Sequence, residues 1–332
     1  MTRARGGVAL AAAAVALALS CGGERFKSSH PTGNSDEGRV PDPGDRLVRL
    51  LPDGAQIVVE VDLALLRANP VIGGVVKRAL ARVAVQDDTA QLPGKLALPT
   101  APLADTDQIV FAAYGVGTAN ADTLTLLATT DDVPGARRVA PGVLAIGTDS
   151  WVDQVQARAA IDARTPLTVP EELQRLRDHA MPHDAPGAAV RAVARLSFDA
   201  RVALARQTGI AVAPAELSLW GDVVDDLVIV VDADAVDPGD KRGSAAVKQL
   251  GATVHAALAA LAGTELATAL GVPNSLTDAR QVEQGTWVRT IVSIGPKHLQ
   301  RVVARAEDLL GSGSGGDAGS GGSDVSAVGS GS

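Results

Sequence analysis

The imidazole and carboxylate side chains of this 332-residue sequence that could do chemistry concentrate in two short segments. The first, Arg177-Asp178-His179-Ala180-Met181-Pro182-His183-Asp184, places two histidines four residues apart. On a helix that spacing puts both rings on one face, as a zinc site needs. Pro182 breaks a helix inside the segment, and no Glu follows the first His as in metalloproteases. The expected state is a surface loop, with His179 and His183 as candidate metal ligands of a hydrolase. The second segment carries Asp232, Asp234, Asp237 and Asp240, and clustered carboxylates suit a hard cation such as Ca²⁺. The calcium-loop order fails, because Val236, Asp237 and Gly243 stand where that loop needs an acid, a glycine and a bidentate Glu. A solvated acidic turn after a strand is expected, with Asp232 and Asp234 kept as metal candidates.

Other constellations are poorer. Gly115-Val116-Gly117 lacks the third glycine of a dinucleotide loop and leads into a strand pattern, so it reads as a hairpin loop. Asp225 and Asp226 resemble a carboxylate pair, yet they lead into an apolar run that would send them to opposite faces of a strand. The Gly-x-Ser-x-Gly and Ser-x-x-Lys patterns of serine hydrolases do not occur. His255 sits in Ala/Leu-rich helical sequence and reads as a partly buried structural residue, and His298 reads as exposed. Trp151, Trp220 and Trp287 read as packing residues. No catalytic residue and no cofactor is assigned.

Cys21 is the only cysteine, so no intrachain disulfide can form. It follows a short basic segment with Arg3 and Arg5 and an uncharged apolar run, residues 6–20, the layout of a secretory signal. Fifteen residues would make ~22 Å of helix, short of a ~30 Å hydrocarbon core. The run ends Leu17-Ala18-Leu19-Ser20-Cys21, which resembles the lipobox of bacterial lipoproteins. The resemblance covers residues 1–23. It implies cleavage before Cys21, acylation of that residue by diacylglyceryl and amide-linked chains such as palmitate, and anchoring by two or more chains. With Gly at position 22 rather than Asp, it further implies export to the periplasmic face of the outer membrane.

Loss of Arg3 and Arg5 would take the formal charge from −8 to about −10. Phosphate-neutralising proteins carry the opposite sign, so nucleic acid is not an expected partner. The seven aromatic residues (three Phe, three Trp, one Tyr) give no broad stacking surface for bases or sugars. The 46% apolar content supplies a globular core.

Composition then divides the chain into a signal (1–20), the lipidated Cys with a polar tether (21–44), a first half (45–165), a Pro-rich connector (166–187), a second half (188–310) and a Gly/Ser tail without core-forming pattern (311–332). The halves show a faint repeat. Gln56–Val61 is echoed by Ala189–Leu196, and Asp107–Phe111 by Asp225–Val231. Each half ends on a strand that feeds a helix, Val143–Gly147 and Val288–Ile294. The expected fold class is α+β, with each half a largely antiparallel sheet covered by helices. The expected role is non-catalytic: a tethered envelope protein binding a partner protein or an apolar ligand. A lipid carrier and the hydrolase built on His179 and His183 are the alternatives.

Overall fold

The computed structural model describes residues 45–83, 103–182, 185, 187–208, 213–235 and 243–312. The signal, Cys21, the tether, His183, Asp237, Asp240 and all but the first two residues of the tail lie outside the described residues.

A short helix α1 (Asp45–Val48) precedes β1 (Ile57–Asp62). Helices α2 (Leu63–Ala68) and α3 (Gly73–Val83) follow, with Asp62 capping α2 by accepting from the Leu65 amide. Then come β2 (Gln108–Tyr114), β3 (Asp122–Ala128), β4 (Arg137–Ala140), β5 (Val143–Gly147) and α4 (Asp149–Asp162). Helix α5 (Glu171–His179) leads to β6 (Val190–Arg195), α6 (Phe198–Thr208), β7 (Glu216–Val223) and β8 (Leu227–Asp234). The chain closes with α7 (Gly243–Ala262), α8 (Glu265–Leu270), α9 (Pro273–Thr277), β9 (Arg280–Gln284), β10 (Trp287–Ile294) and α10 (Pro296–Ser312). The class is α+β, as the strand patterns predict.

The strands form one sheet in the order β4-β5-β3-β2-β1-β6-β7-β8-β10-β9, and the paired neighbours run antiparallel. The halves therefore do not carry separate sheets. They share one, joined where β1 pairs with β6 from Ile57↔Ala194 to Val61↔Val190. Outward from this seam the connectivity is the same on each side, the fifth strand lying between the third and fourth. The residue repeat itself is not confirmed. The expected echo of Asp107–Phe111 in Asp225–Val231 falls on strands that occupy different places: β2 lies beside β1, whereas β8 is separated from β6 by β7.

The expected Pro-rich connector contains α5. Pro170 occupies the N-cap with extended backbone (φ −53°, ψ 134°), Glu171 and Glu172 fill the first turn, and Arg177 and His179 the last. That charge order suits the helix dipole. Prolines here bracket a helix and do not dissolve it.

Strand alternation sends side chains to two faces with different cores. On one face, Val58, Val110, Leu126 and Val193 pack against α1, α4 and α5 through Leu47, Val155 and Leu176. On the other, Leu219, Ile229 and Val292 meet α3, α8, α9 and α10 through Val76, Leu270, Leu276 and Val302. The β2–β3 loop joins these strands at Gly115 (φ 58°) and Gly117 (φ 82°). A Cβ on Gly117 would lie 2.6 Å from the Ala200 Cα, so the loop closes against the start of α6 only with glycine there.

Candidate functional site

Helix α5 lies across the first face over β6 and β7, and the residues beneath it are polar where a sheet core is usually apolar. Cross-strand register brings Ser218, Asp232 and Arg289 side by side on β7, β8 and β10. Glu60 on β1 stands opposite Arg191 on β6. Glu60, Ser218, Asp232 and Arg289 each meet α5 or the residue after it. Ser218 Oγ donates to the Leu176 carbonyl (2.5 Å) and accepts from the Ala180 amide (3.1 Å), so one hydroxyl ties down the last turn. Arg289 donates to the His179 carbonyl (2.9 Å) and to both oxygens of Asp232 (2.8 and 2.5 Å). His179 Nδ1 sits 2.8 Å from Asp232 Oδ2, and its ring stacks on Trp287 with centroids 3.9 Å apart.

The deepest contact is Arg177. Its side chain is fully buried and donates through Nε and Nη2 to the two Glu60 oxygens at 2.7 and 2.9 Å. Nη1 reaches Asp45 (2.7 Å) and Gln174 (2.9 Å). Burial works against the guanidinium charge, but Glu60 and Asp45 outweigh it and hold its pKa above the ordinary value. The same balance applies at Asp232: burial favours the neutral acid, and the hydrogen bonds from Arg289 and His179 overcome it and lower the pKa. Asp222 on β7 is the contrary case. Burial pushes its carboxyl up, Asp226 adds to that, and the Val223 amide and Arg191 only partly oppose it.

Beside α5, over the β1–β6 seam, the face opens into a cleft of about 550 Å³. Val58 and Val193 form its floor, Leu173 and Leu176 of α5 one wall, and Val48 and Leu51 another. Its volume falls within the range of small-ligand sites, which are mostly apolar with a few placed polar groups. Those groups are Arg195, Glu172, Glu216, Gln56 and Asp53. Arg195 pairs with Glu172, and Arg175 holds both Glu216 oxygens (2.8 and 2.9 Å). A separate space of about 20 Å³ between Glu60, Asp62, Gln108 and Arg191 has room for a single water.

The candidates read from sequence fall differently from expectation. His179 is no loop residue. It ends α5 and is hydrogen-bonded to Asp232. Asp232 and Asp234 lie within β8 rather than in a turn, because the strand runs on past its apolar run into the acidic segment. Asp232 is spent on Arg289 and His179, and Asp234 accepts from Thr286 (2.9 Å). Among the described residues no group of three or more His, Cys, Asp or Glu is placed to hold a metal. His183 lies outside them. Asp225 and Asp226 occupy the β7–β8 turn rather than entering the strand. His255 is exposed on α7, and His298 is half-buried with Nε2 2.8 Å from the Gly271 carbonyl, reversing both expectations. Trp220 is buried and donates to the Gly187 carbonyl (2.8 Å), while Trp151 stacks on Tyr114 with centroids 4.0 Å apart. The residues that shape the cleft mouth, Arg195 and Glu172, carried no motif.

The sequence matches no protein-family model and no curated protein. Among solved structures the chain is similar to TP0453. Its crystal form III aligns with a TM-score of 0.41 and 8% identity, covering 77% of this chain and 97% of that one. Its crystal form I aligns with a TM-score of 0.38 and 7% identity, covering 80% and 99%.

Two outcomes follow from the buried charges. Arg177→Met strands Glu60 in the core and is expected to cost about 3–5 kcal/mol in urea denaturation. Adding Glu60→Gln should recover a large part of that loss, and a double variant no more stable than the single one would count against the pair. Asp222 binds its proton more tightly folded than unfolded, so its contribution to stability falls as pH rises from the unfolded carboxyl value (~3.9) through the raised folded one. Asp222→Asn is therefore expected to be more stable than the parent at neutral pH and to show a shallower decline as pH rises above the unfolded carboxyl value. Parallel denaturation midpoints in the two proteins would refute this.

Proposed function

We propose that this chain is a non-catalytic lipoprotein of the bacterial cell envelope, held by acylated Cys21 at the periplasmic face of the outer membrane, whose body binds an apolar ligand in the cleft over the β1–β6 seam. The observation that carries the reading is the cleft itself. Apolar floor and walls line an open cleft of about 550 Å³ with a few charged groups beside them, the composition expected of a site whose affinity comes from desolvating a hydrocarbon. The charged groups of α5 and the sheet support a binding role. His179, Asp232, Arg289, Arg177 and Glu60 are engaged with one another, which suits a rigid scaffold better than proton transfer. A partner protein is the other occupant consistent with the tethered layout, and the concave apolar shape of the cleft favours the ligand.

The test uses the full chain. Wild type is expected to bind an environment-sensitive apolar fluorophore at one site per chain, and organic extracts of the native protein should contain a co-purified amphiphile by mass spectrometry. Leu173→Trp, which fills the cleft from the α5 wall, should weaken the fluorophore by about tenfold or more, ~1.4 kcal/mol. Unaltered binding in that variant, or none in wild type, would overturn the reading. The tether is tested separately. Cys21→Ser should move the chain from the membrane fraction to the soluble fraction, since no acyl chain would remain. An unchanged distribution would refute lipidation as the anchor.

A further inference from the structure

Granted the apolar cleft, the charges at its mouth specify the ligand's head. Four charged side chains line it: Asp53, Glu172, Arg195 and Glu216. Two of the acids have a cation from outside the lining. Glu216, with its side chain 9% exposed, is gripped by both bonds from Arg175, and Asp53 faces Arg158 at 3.5 Å. Arg195 is thus the only basic side chain lining the cleft among the described residues, and its closest carboxylate is Glu172. Its Nε lies 3.8 Å from Glu216, which Arg175 already satisfies.

The Arg195–Glu172 pair is open to water, with side chains 50% and 69% exposed. Exposed pairs contribute little, so exchanging one acid for another there costs little. Glu172 is also suited to being released. It stands in the first turn of α5, where the helix dipole favours a negative charge whether or not Arg195 is near. A guanidinium fork matches an oxyanion with two parallel hydrogen bonds. We infer that the cleft takes a single-chain amphiphile with an oxyanion head, carboxylate or phosphate monoester, its chain against Val58 and Val193 and its head on Arg195 in place of Glu172.

Displacement of a cleft-bound fluorophore from the full chain by twelve-carbon competitors, each below its micelle concentration, tests this. Dodecanoate and dodecyl phosphate are each expected to compete at least about tenfold more tightly than dodecanol, and dodecylammonium less tightly than dodecanol. Whichever anion competes better identifies the head. Arg195→Gln should remove the advantage of the anions and leave dodecanol within about twofold of wild type, whereas Arg195→Lys should retain part of it. Equal competition by dodecanoate, dodecyl phosphate and dodecanol in wild type, or an equal loss for all three in Arg195→Gln, would overturn the assignment while leaving apolar binding intact. Failure of all four competitors would instead defeat the cleft reading on which it rests.

Discussion

A guanidinium with no exposed surface is the constraint around which this structure is arranged. Arg177 reaches Glu60 at the centre of the sheet and Asp45 in α1. Taking two charges out of water is expensive, and their attraction offsets that cost only when geometry is good and the remaining hydrogen bonds are made. Here the fork is bidentate, and the third nitrogen is shared between Asp45 and Gln174. Neither partner can therefore move alone. If α5 lifted, Glu60 would lose the guanidinium that matches it, and Asp232 and Arg289 would be uncovered on β8 and β10. The helix and the seam strand β1 are bound into one cooperative unit, and with them the wall of the cleft that Leu173 and Leu176 provide.

The two faces of the sheet are consequently held by different physics. Beneath α3, α8, α9 and α10 the interface is aliphatic, non-directional and tolerant of small adjustments. Beneath α5 it is directional. Ser218, Asp232 and Arg289 each accept or supply hydrogen bonds at fixed positions in the last turn, and these fix where the helix ends. A directional interface is needed on that side because the apolar surface of α5 is small. Leu173 and Leu176 face the first core, and the rest of the helix is polar. Hydrophobic burial alone would hold a nine-residue helix of this composition weakly.

What the sequence disclosed, and what it concealed, follows from the same division. Strands with apolar alternation or continuous runs, such as Ile57–Val61 and Val288–Ile294, could be read directly, as could the stripe Leu299, Val302 and Val303 on α10. The antiparallel α+β class follows from them. Strand β7 escaped because Ser218 and Asp222 interrupt its apolar run, and both are buried for reasons that lie on α5, β6 and the β7–β8 turn. Helix α5 escaped because flanking prolines outweighed a legible signal, the order of acids and bases from Glu171 to His179. The partners of its charges could not be read at all. Arg177 and Glu60 are 117 positions apart, and His179 and Asp232 are 53 apart. Spacing within a segment raised His179 and Asp232 only as metal candidates, beside a loop and an acidic turn. Neither reading could find the hydrogen bonds, because nothing local records that Arg289 stands across the strand from Asp232.

One chemical pair recurs at three depths along α5, and the depth decides what each does. Arg177–Glu60 has side chains 0% and 9% exposed, Arg175–Glu216 49% and 9%, and Arg195–Glu172 50% and 69%. In the interior, loss of one partner leaves a charge that water cannot reach, so the pair is fixed. At the mouth, water can take either partner's place and the pair is exchangeable. The middle pair is asymmetric: Arg175 could be hydrated alone, whereas Glu216 could not, so it stays occupied and does not compete for Arg195. A cleft whose outermost cation is exchangeable and whose one buried acid, Glu216, is already matched can accept a negative head on Arg195. That gradient, set by how α5 descends from Pro170 at the rim to Arg177 over the centre of the sheet, joins the stability of the fold to the selectivity of the site.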